Sequence, residues 1–219
     1  MGMTETEMIG VIVLACLVTA VIVRLLVGFA QRETDLRDCG DSGLYLDTGI
    51  AQTMGNKEIQ SDRVRAERTQ AGALAVIADG IGKRNIGEVC AQIAMDTILD
   101  RYEPYTFLSE PDHFFRMSFY EANRRVQMTL ERSKGGTSLG AVFVNGTKLY
   151  YALAGNIRIA LFRGGEIIPL SKGHTLDVLA EEAWKDGKIS RQEAVWSMEE
   201  KRMWNYVGMD GFRKIEVES

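Results

Sequence analysis

The sequence predicts an α+β domain, with antiparallel strands forming a sheet and helices packed outside it, preceded by one transmembrane helix. Three observations predict it. Segments of strand and helix character follow in the order strand, strand, helix, helix, four strands, helix, helix. The four-strand stretch is punctuated by Asn145-Gly146, Gly155-Asn156 and Gly164-Gly165, dipeptides that favour tight turns. Residues 9–30 are apolar throughout except for Arg24.

As a helix, residues 9–30 would extend roughly 33 Å, enough to cross a hydrocarbon core of about 30 Å. Arg24 lies close enough to one end to reach the headgroups. Glu5 and Glu7 stand before the stretch, where a cleaved secretory leader would carry basic residues. A leader followed by an exported structural domain is the rival reading. Arg24, Arg32 and Arg37 put the excess of positive charge on the C-terminal side. That side is therefore expected in the cytoplasm, on a single-pass protein of the cell membrane. Residues 31–43 are polar and charged and read as a juxtamembrane linker, leaving 44–219 as one domain.

Residues 44–50 and 72–78 are short and apolar or β-branched and read as strands. In 85–101, Ile86, Val89, Cys90, Ile93, Ala94, Thr97 and Ile98 recur at helical spacing, with Asn85 and Glu88 placed for a capping box. Pro111 opens a second helix, and Phe115, Phe119, Ala122, Val126 and Leu130 line its core face. Residues 138–144, 148–154, 157–163 and 166–170 form a meander. Residues 175–186 and 190–203 are helical, the latter capped by Ser190 and Glu193. Trp184, Trp196 and Trp204 are expected to anchor that last pair on the sheet. Residues 214–218 alternate like the start of another strand.

Composition excludes several functions. Lys plus Arg number 26 against 30 for Asp plus Glu, a net charge of −4, so no basic field holds nucleic acid. Three Cys are too few and scattered for a disulfide scaffold, and two His disfavour histidine metal sites and relays. His174 reads as a satisfied loop histidine.

Two segments gather small and acidic residues at strand ends, 55–62 and 78–83. Asp79 closes an apolar strand and is followed by Gly80. That arrangement sets a carboxylate where the sheet opens and lets a backbone carbonyl approach a hard divalent cation. Alone, Asp-Gly is more often a turn.

Taken in order, Gly-Asn-Lys-Glu-Ile-Gln-Ser-Asp-Arg (55–63), Ala-Val-Ile-Ala-Asp-Gly-Ile-Gly (75–82), Gly-Gly-Thr-Ser (135–138) and Tyr-Ala-Leu-Ala-Gly-Asn-Ile-Arg (151–158) resemble the PPM/PP2C family of metal-dependent serine/threonine phosphatases. The resemblance implies an antiparallel β-sandwich flanked by helices, here incomplete at the C-terminus. It also implies hydrolysis of phosphoserine and phosphothreonine by water activated between two metal ions. Carried over, Asp79 matches the bridging metal ligand and Gly80 a residue whose carbonyl serves one metal. Asp62 supports the site from behind, and Lys57 stands where an Arg usually holds the phosphate. The departures are as informative. Ser61 replaces a Glu ligand, Asn156 an Asp ligand, and Gly173 the Asp that usually precedes His174, while Lys83 adds a cation to the Asp-Gly run. A two-metal site needs roughly five acidic ligands, and here Asp79 is left as the carboxylate in direct contact. Mg²⁺ or Mn²⁺ is therefore expected to bind weakly or not at all. The reading is a membrane-anchored phosphatase-like protein, weakly active or inactive, binding a phosphorylated or regulatory protein partner. The alternative is a truncated form of an active phosphatase.

Overall fold

The computed structural model describes residues 46–54, 59–69, 71–131, 133–198 and 202–219. The apolar run of β2 (Gly72–Gly82) is flanked by β1 (Asp62–Thr69) and β3 (Gly135–Asn145). β4 (Lys148–Ala154) and β7 (Glu216–Glu218) complete an antiparallel five-stranded sheet in the order β1-β2-β3-β4-β7. Helices α1 (Ile86–Arg101) and α3 (Pro111–Leu130) pack together on one face of it. Alternation along β2 turns Leu74, Val76 and Ala78 toward those helices, where they meet Cys90, Ala94 and Ile98 of α1 and Phe115, Phe119 and Val126 of α3 in one core. The stripe expected of α3 is the face found buried, whereas of the stripe expected of α1 Cys90, Ala94, Thr97 and Ile98 are buried and Val89 is exposed. The short helix α2 (Pro104–Ser109) adds the buried Phe107.

Several expectations are corrected. Residues 46–50 form no strand. The edge strand is instead β1, whose sequence Asp-Arg-Val-Arg-Ala-Glu-Arg-Thr hides its pattern because charged residues face the helices. Arg63 reaches Glu88 and Gln92 of α1. Glu88 is thus taken by Arg63, and Asn85 makes no side-chain cap. By contrast, the Ser190/Glu193 box forms in both directions, at 2.8 and 3.3 Å, ahead of α5 (Arg191–Met198).

The expected meander divides. β3 and β4 are joined through Gly146-Thr147, one residue later than the Asn-Gly reading, with Gly146 at φ 55°. Gly164 and Gly165, both at positive φ, join β5 (Ala160–Arg163) to β6 (Glu166–Pro169) in a separate two-stranded sheet. Gly155-Asn156 makes no hairpin and carries the chain out of the large sheet. Among the described residues the strands form one five-stranded sheet and this separate hairpin, so a sheet flanked by helices replaces the expected sandwich. Ile77, on the sheet face opposite α1 and α3, is 42 % exposed. Helices α4 (Leu176–Lys185) and α5 pack chiefly on each other. Trp184 and Trp196 are 44 % and 66 % exposed and do not anchor them on the sheet.

The membrane-anchored reading is also corrected. No helix among the described residues is long and apolar enough to cross a membrane. Residues 9–30, on which the expected span, the membrane contact and the cell-membrane localisation depended, lie outside the described residues. The described residues form an α+β fold.

Candidate active site

The register of β1 against β2 sets Asp62 directly opposite Asp79, and the register of β2 against β3 sets Asp79 opposite Ser138. Residues opposite each other in an antiparallel pair hold their Cβ atoms about 5 Å apart on one face. The two residues therefore stand side by side at one end of the sheet, on the face opposite α1 and α3. Asp62 is half-buried, and its Oδ1 lies buried with no hydrogen-bond partner. The Asp79 carbonyl accepts a hydrogen bond from Thr137 Oγ1 at 2.9 Å. Gly80 presses against Gly87 at the start of α1 and against the carbonyl of the buried Ser61.

A second group joins this end of the sheet through Ser138. Its Oγ accepts the Asn156 backbone N–H at 3.1 Å. Gly155 must be glycine: φ is +97°, and a Cβ would stand 2.5 Å from Ser138 Oγ. Gly173, at φ +79°, lies beside Asn156, whose Oδ1 would be 3.4 Å from an added Cβ. The structure thus assembles Ser61, Asp62, Asp79, Gly80, Asn156 and Gly173 into one region. Lys57 lies outside the described residues, and Lys83 is exposed.

His174 follows Gly173 and is 2 % exposed. Its backbone N–H donates to the Gly155 carbonyl at 2.8 Å, and its Nδ1 accepts the Gly155 N–H at 3.2 Å. Asn205 supplies a second donor to Nδ1 at 2.8 Å. Asn205 was not foreseen, since it lies 31 residues from His174 in no recognisable spacing. Burial, aided by the nearby Lys214 charge, lowers the His174 pKa from 6.5 to about 4. Below about pH 6.5 the unfolded chain therefore takes up a proton that the folded chain refuses until about pH 4. The contribution of neutral His174 to stability is full above that window and is lost as pH falls through it. Urea unfolding at about pH 7 and about pH 5 should show the lower midpoint at the lower pH, and His174→Gln should flatten the difference.

The metal-ligand reading of Asp79 and Gly80 finds no support here. Among the described residues no group of three or more His, Cys, Asp or Glu side chains is placed to hold a metal ion. The orphaned oxygen of Asp62 beside Asp79 is the kind of acceptor a cation uses, but Ser61, Asn156 and Gly173 bring no charge to it. These residues do not fit a two-ion centre.

Residues 47–183, more than half of the chain, match the family model described as Protein phosphatase 2C. The chain is 24 % identical over 153 residues to the serine/threonine phosphatase stp of Listeria welshimeri, a match covering 67 % of this chain and 59 % of that protein. It is 31 % identical over 144 residues to the serine/threonine protein phosphatase PstP of Mycobacterium tuberculosis, covering 62 % of this chain and 27 % of that one. It thus spans under two thirds of the length of either. Among solved structures, a serine/threonine phosphatase of S. agalactiae superposes with a TM-score of 0.64 at 21 % identity, covering 74 % of this chain and 69 % of that one.

Proposed function

Because the chain belongs to the protein phosphatase 2C family, we propose that it is a phosphatase-like domain of weak or no hydrolytic activity. In this reading it serves as a binding or regulatory module in phosphoserine and phosphothreonine signalling. The observation that carries the reading is the charge left at the site. Asp62 and Asp79 face each other across two strands, while Ser61, Asn156 and Gly173 converge on the same region uncharged. Each missing carboxylate weakens the hold on a hard cation, and surrounding residues cannot replace an absent ligand. Without metal-activated water, the family's hydrolysis loses its nucleophile.

What remains suits recognition. Lys57 is the residue we assign to a phosphate, as a point charge in place of the usual two-pronged Arg. Asp79 and Gly80 keep the backbone of the site in shape, with Asp62 behind them. A phosphorylated or regulatory protein segment is the partner this reading expects.

Titrating Mn²⁺ into the chain, while following the melting temperature and turnover of p-nitrophenyl phosphate, tests the proposal. The expected result is a melting temperature that does not rise and turnover at background. A rise in melting temperature together with turnover abolished by Asp79→Asn would show a working metal enzyme and defeat the reading.

A further inference from the structure

Asn205 ties His174 to the stretch of chain that leads into β7. Both residues are 2 % exposed. The Asn205 Oδ1 accepts the backbone N–H groups of Arg213 and Lys214 at 3.3 and 3.5 Å, which makes its Nδ2 the donor. Nδ2 donates to the Lys214 carbonyl and to His174 Nδ1, both at 2.8 Å. Because Nδ1 also accepts the Gly155 N–H, the imidazole is neutral with its proton on Nε2. One amide thus fixes the ring and residues 213–214 together, directly ahead of the buried Ile215 and of β7. β7 has little other hold on the sheet, since it pairs with β4 through three residues.

A proton on Nδ1 is incompatible with this arrangement. The imidazolium donates at both nitrogens and accepts at neither. Its new N–H would point at two other donors, the Gly155 N–H and Asn205 Nδ2. Turning the Asn205 amide over only moves the conflict. Nδ2 would then face the N–H groups of Arg213 and Lys214, and the Lys214 carbonyl would lose its donor. Donors buried without acceptors are strongly disfavoured. The ring is also sealed in, so it takes up a proton only as the contacts around it part.

We infer that His174 and Asn205 form an acid-released latch: protonation of the ring frees residues 213–214 and lets β7 leave β4 while β2, β3, α1 and α3 stay folded together. The inference is independent of whether the Asp62/Asp79 region hydrolyses or binds phosphate.

The sign follows from the surroundings of the ring. Burial and, after it, the Lys214 charge hold the closed ring down at about 4, whereas the released ring returns toward 6.5. The latch is therefore fully closed above that window and gives way as pH falls through it. Lys172 of the 170–174 loop is paired with Glu182 of α4, Arg116 of α3 with Asp112, and Arg158 lies beside Gly173. These cations keep their charge throughout, and Lys172 holds the Glu182 carboxyl below its usual range. Glu216 and Glu218 sit on β7 itself, and burial pushes the Glu216 carboxyl up into the same window. The test must separate their protonation from that of His174.

The test follows amide hydrogen exchange of the ¹⁵N-labelled full chain at about pH 7 and about pH 5, each in low and moderate urea. Protection of residues 213–218 should fall about tenfold or more toward the lower pH through an opening that urea hardly affects. The Leu74 and Phe143 amides should exchange only through the urea-sensitive global unfolding. His174→Gln should remove the pH dependence at 213–218. The Glu216→Gln/Glu218→Gln double variant should keep it. Asn205→Ala should show the released β7 already at about pH 7, with Leu74 and Phe143 still protected. Exchange of 213–218 only together with Leu74 and Phe143, in wild type or in Asn205→Ala, overturns the inference. So does a pH dependence that survives His174→Gln or vanishes in the double variant, which would assign the opening to the carboxylates of β7.

Discussion

Gly80→Ala is expected to cost about 3 kcal/mol or more, at the upper end of what overpacking does. A Cβ at Gly80 would stand 2.2 Å from the Gly87 carbonyl oxygen, 2.4 Å from its carbon and 2.7 Å from the Ser61 oxygen. All three are backbone atoms, so no side chain can swing aside. Gly87 meets Gly80 from the other side, 2.8 Å from a Cβ of its own. The contact of two glycines is what lets the first turn of α1 lie against the end of β2. Either α1 lifts off β2 or β2 bends at the residue after Asp79. In both cases the pairing of Asp62 with Asp79 is disturbed along with stability. Gly49→Ala is the control, because nothing lies within 4 Å of a Cβ there, and it should change stability by no more than about 0.5 kcal/mol. Urea midpoints of the two variants separate the outcomes. Equal midpoints would mean that α1 and β2 do not meet as described.

How much of this was legible in the sequence depended on whether a residue's neighbours are local. The buried stripes of α1 and α3 recur every three or four residues and could be read directly. The capping box at Ser190 is complete within four residues and formed as expected. Strand β1 was illegible because Arg63 owes its place on the helix-facing side to Glu88 and Gln92, more than twenty residues away. The same distant partner removed the cap expected at Asn85. Local patterning also cannot say which strands share a sheet, and so the meander divided into two. At the site, the resemblance of ordered motifs points to Ser61, Asp62, Asp79, Asn156 and Gly173. Asn205 and Trp204 belong to no such motif, and their roles come from contacts with His174 across about thirty residues.

Phe107→Ala should cost about 3–5 kcal/mol, a large share of the 5–15 kcal/mol that holds a typical domain folded. The six-residue helix α2 has one evident task, which is to deliver this ring. Phe107 is 0 % exposed and sits 4.4 Å from Phe143, 5.1 Å from Phe114 and 5.4 Å from Phe115, measured between ring centres. Tyr102 and Tyr150 close the shell at 5.9 and 6.0 Å. Several of these contacts are edge-to-face, the arrangement that aromatic quadrupoles favour beyond simple burial. Truncation leaves a hole bounded by rings that cannot flex inward, so the cavity term stays in force. Phe107→Leu keeps most of the volume and should lose only about 1–2 kcal/mol. Phe162→Ala, on a ring that is 71 % exposed, should lose almost nothing. The cluster braces β3 at Phe143, five residues and roughly 17 Å along the strand from Ser138 beside the Asp62/Asp79 pair. Its loss should therefore lower the midpoint of one cooperative transition while leaving the signals of Trp204 and His174 in place below that midpoint. A local change at His174 without a global loss of stability would show that the two ends of the sheet are coupled in some way other than shared folding.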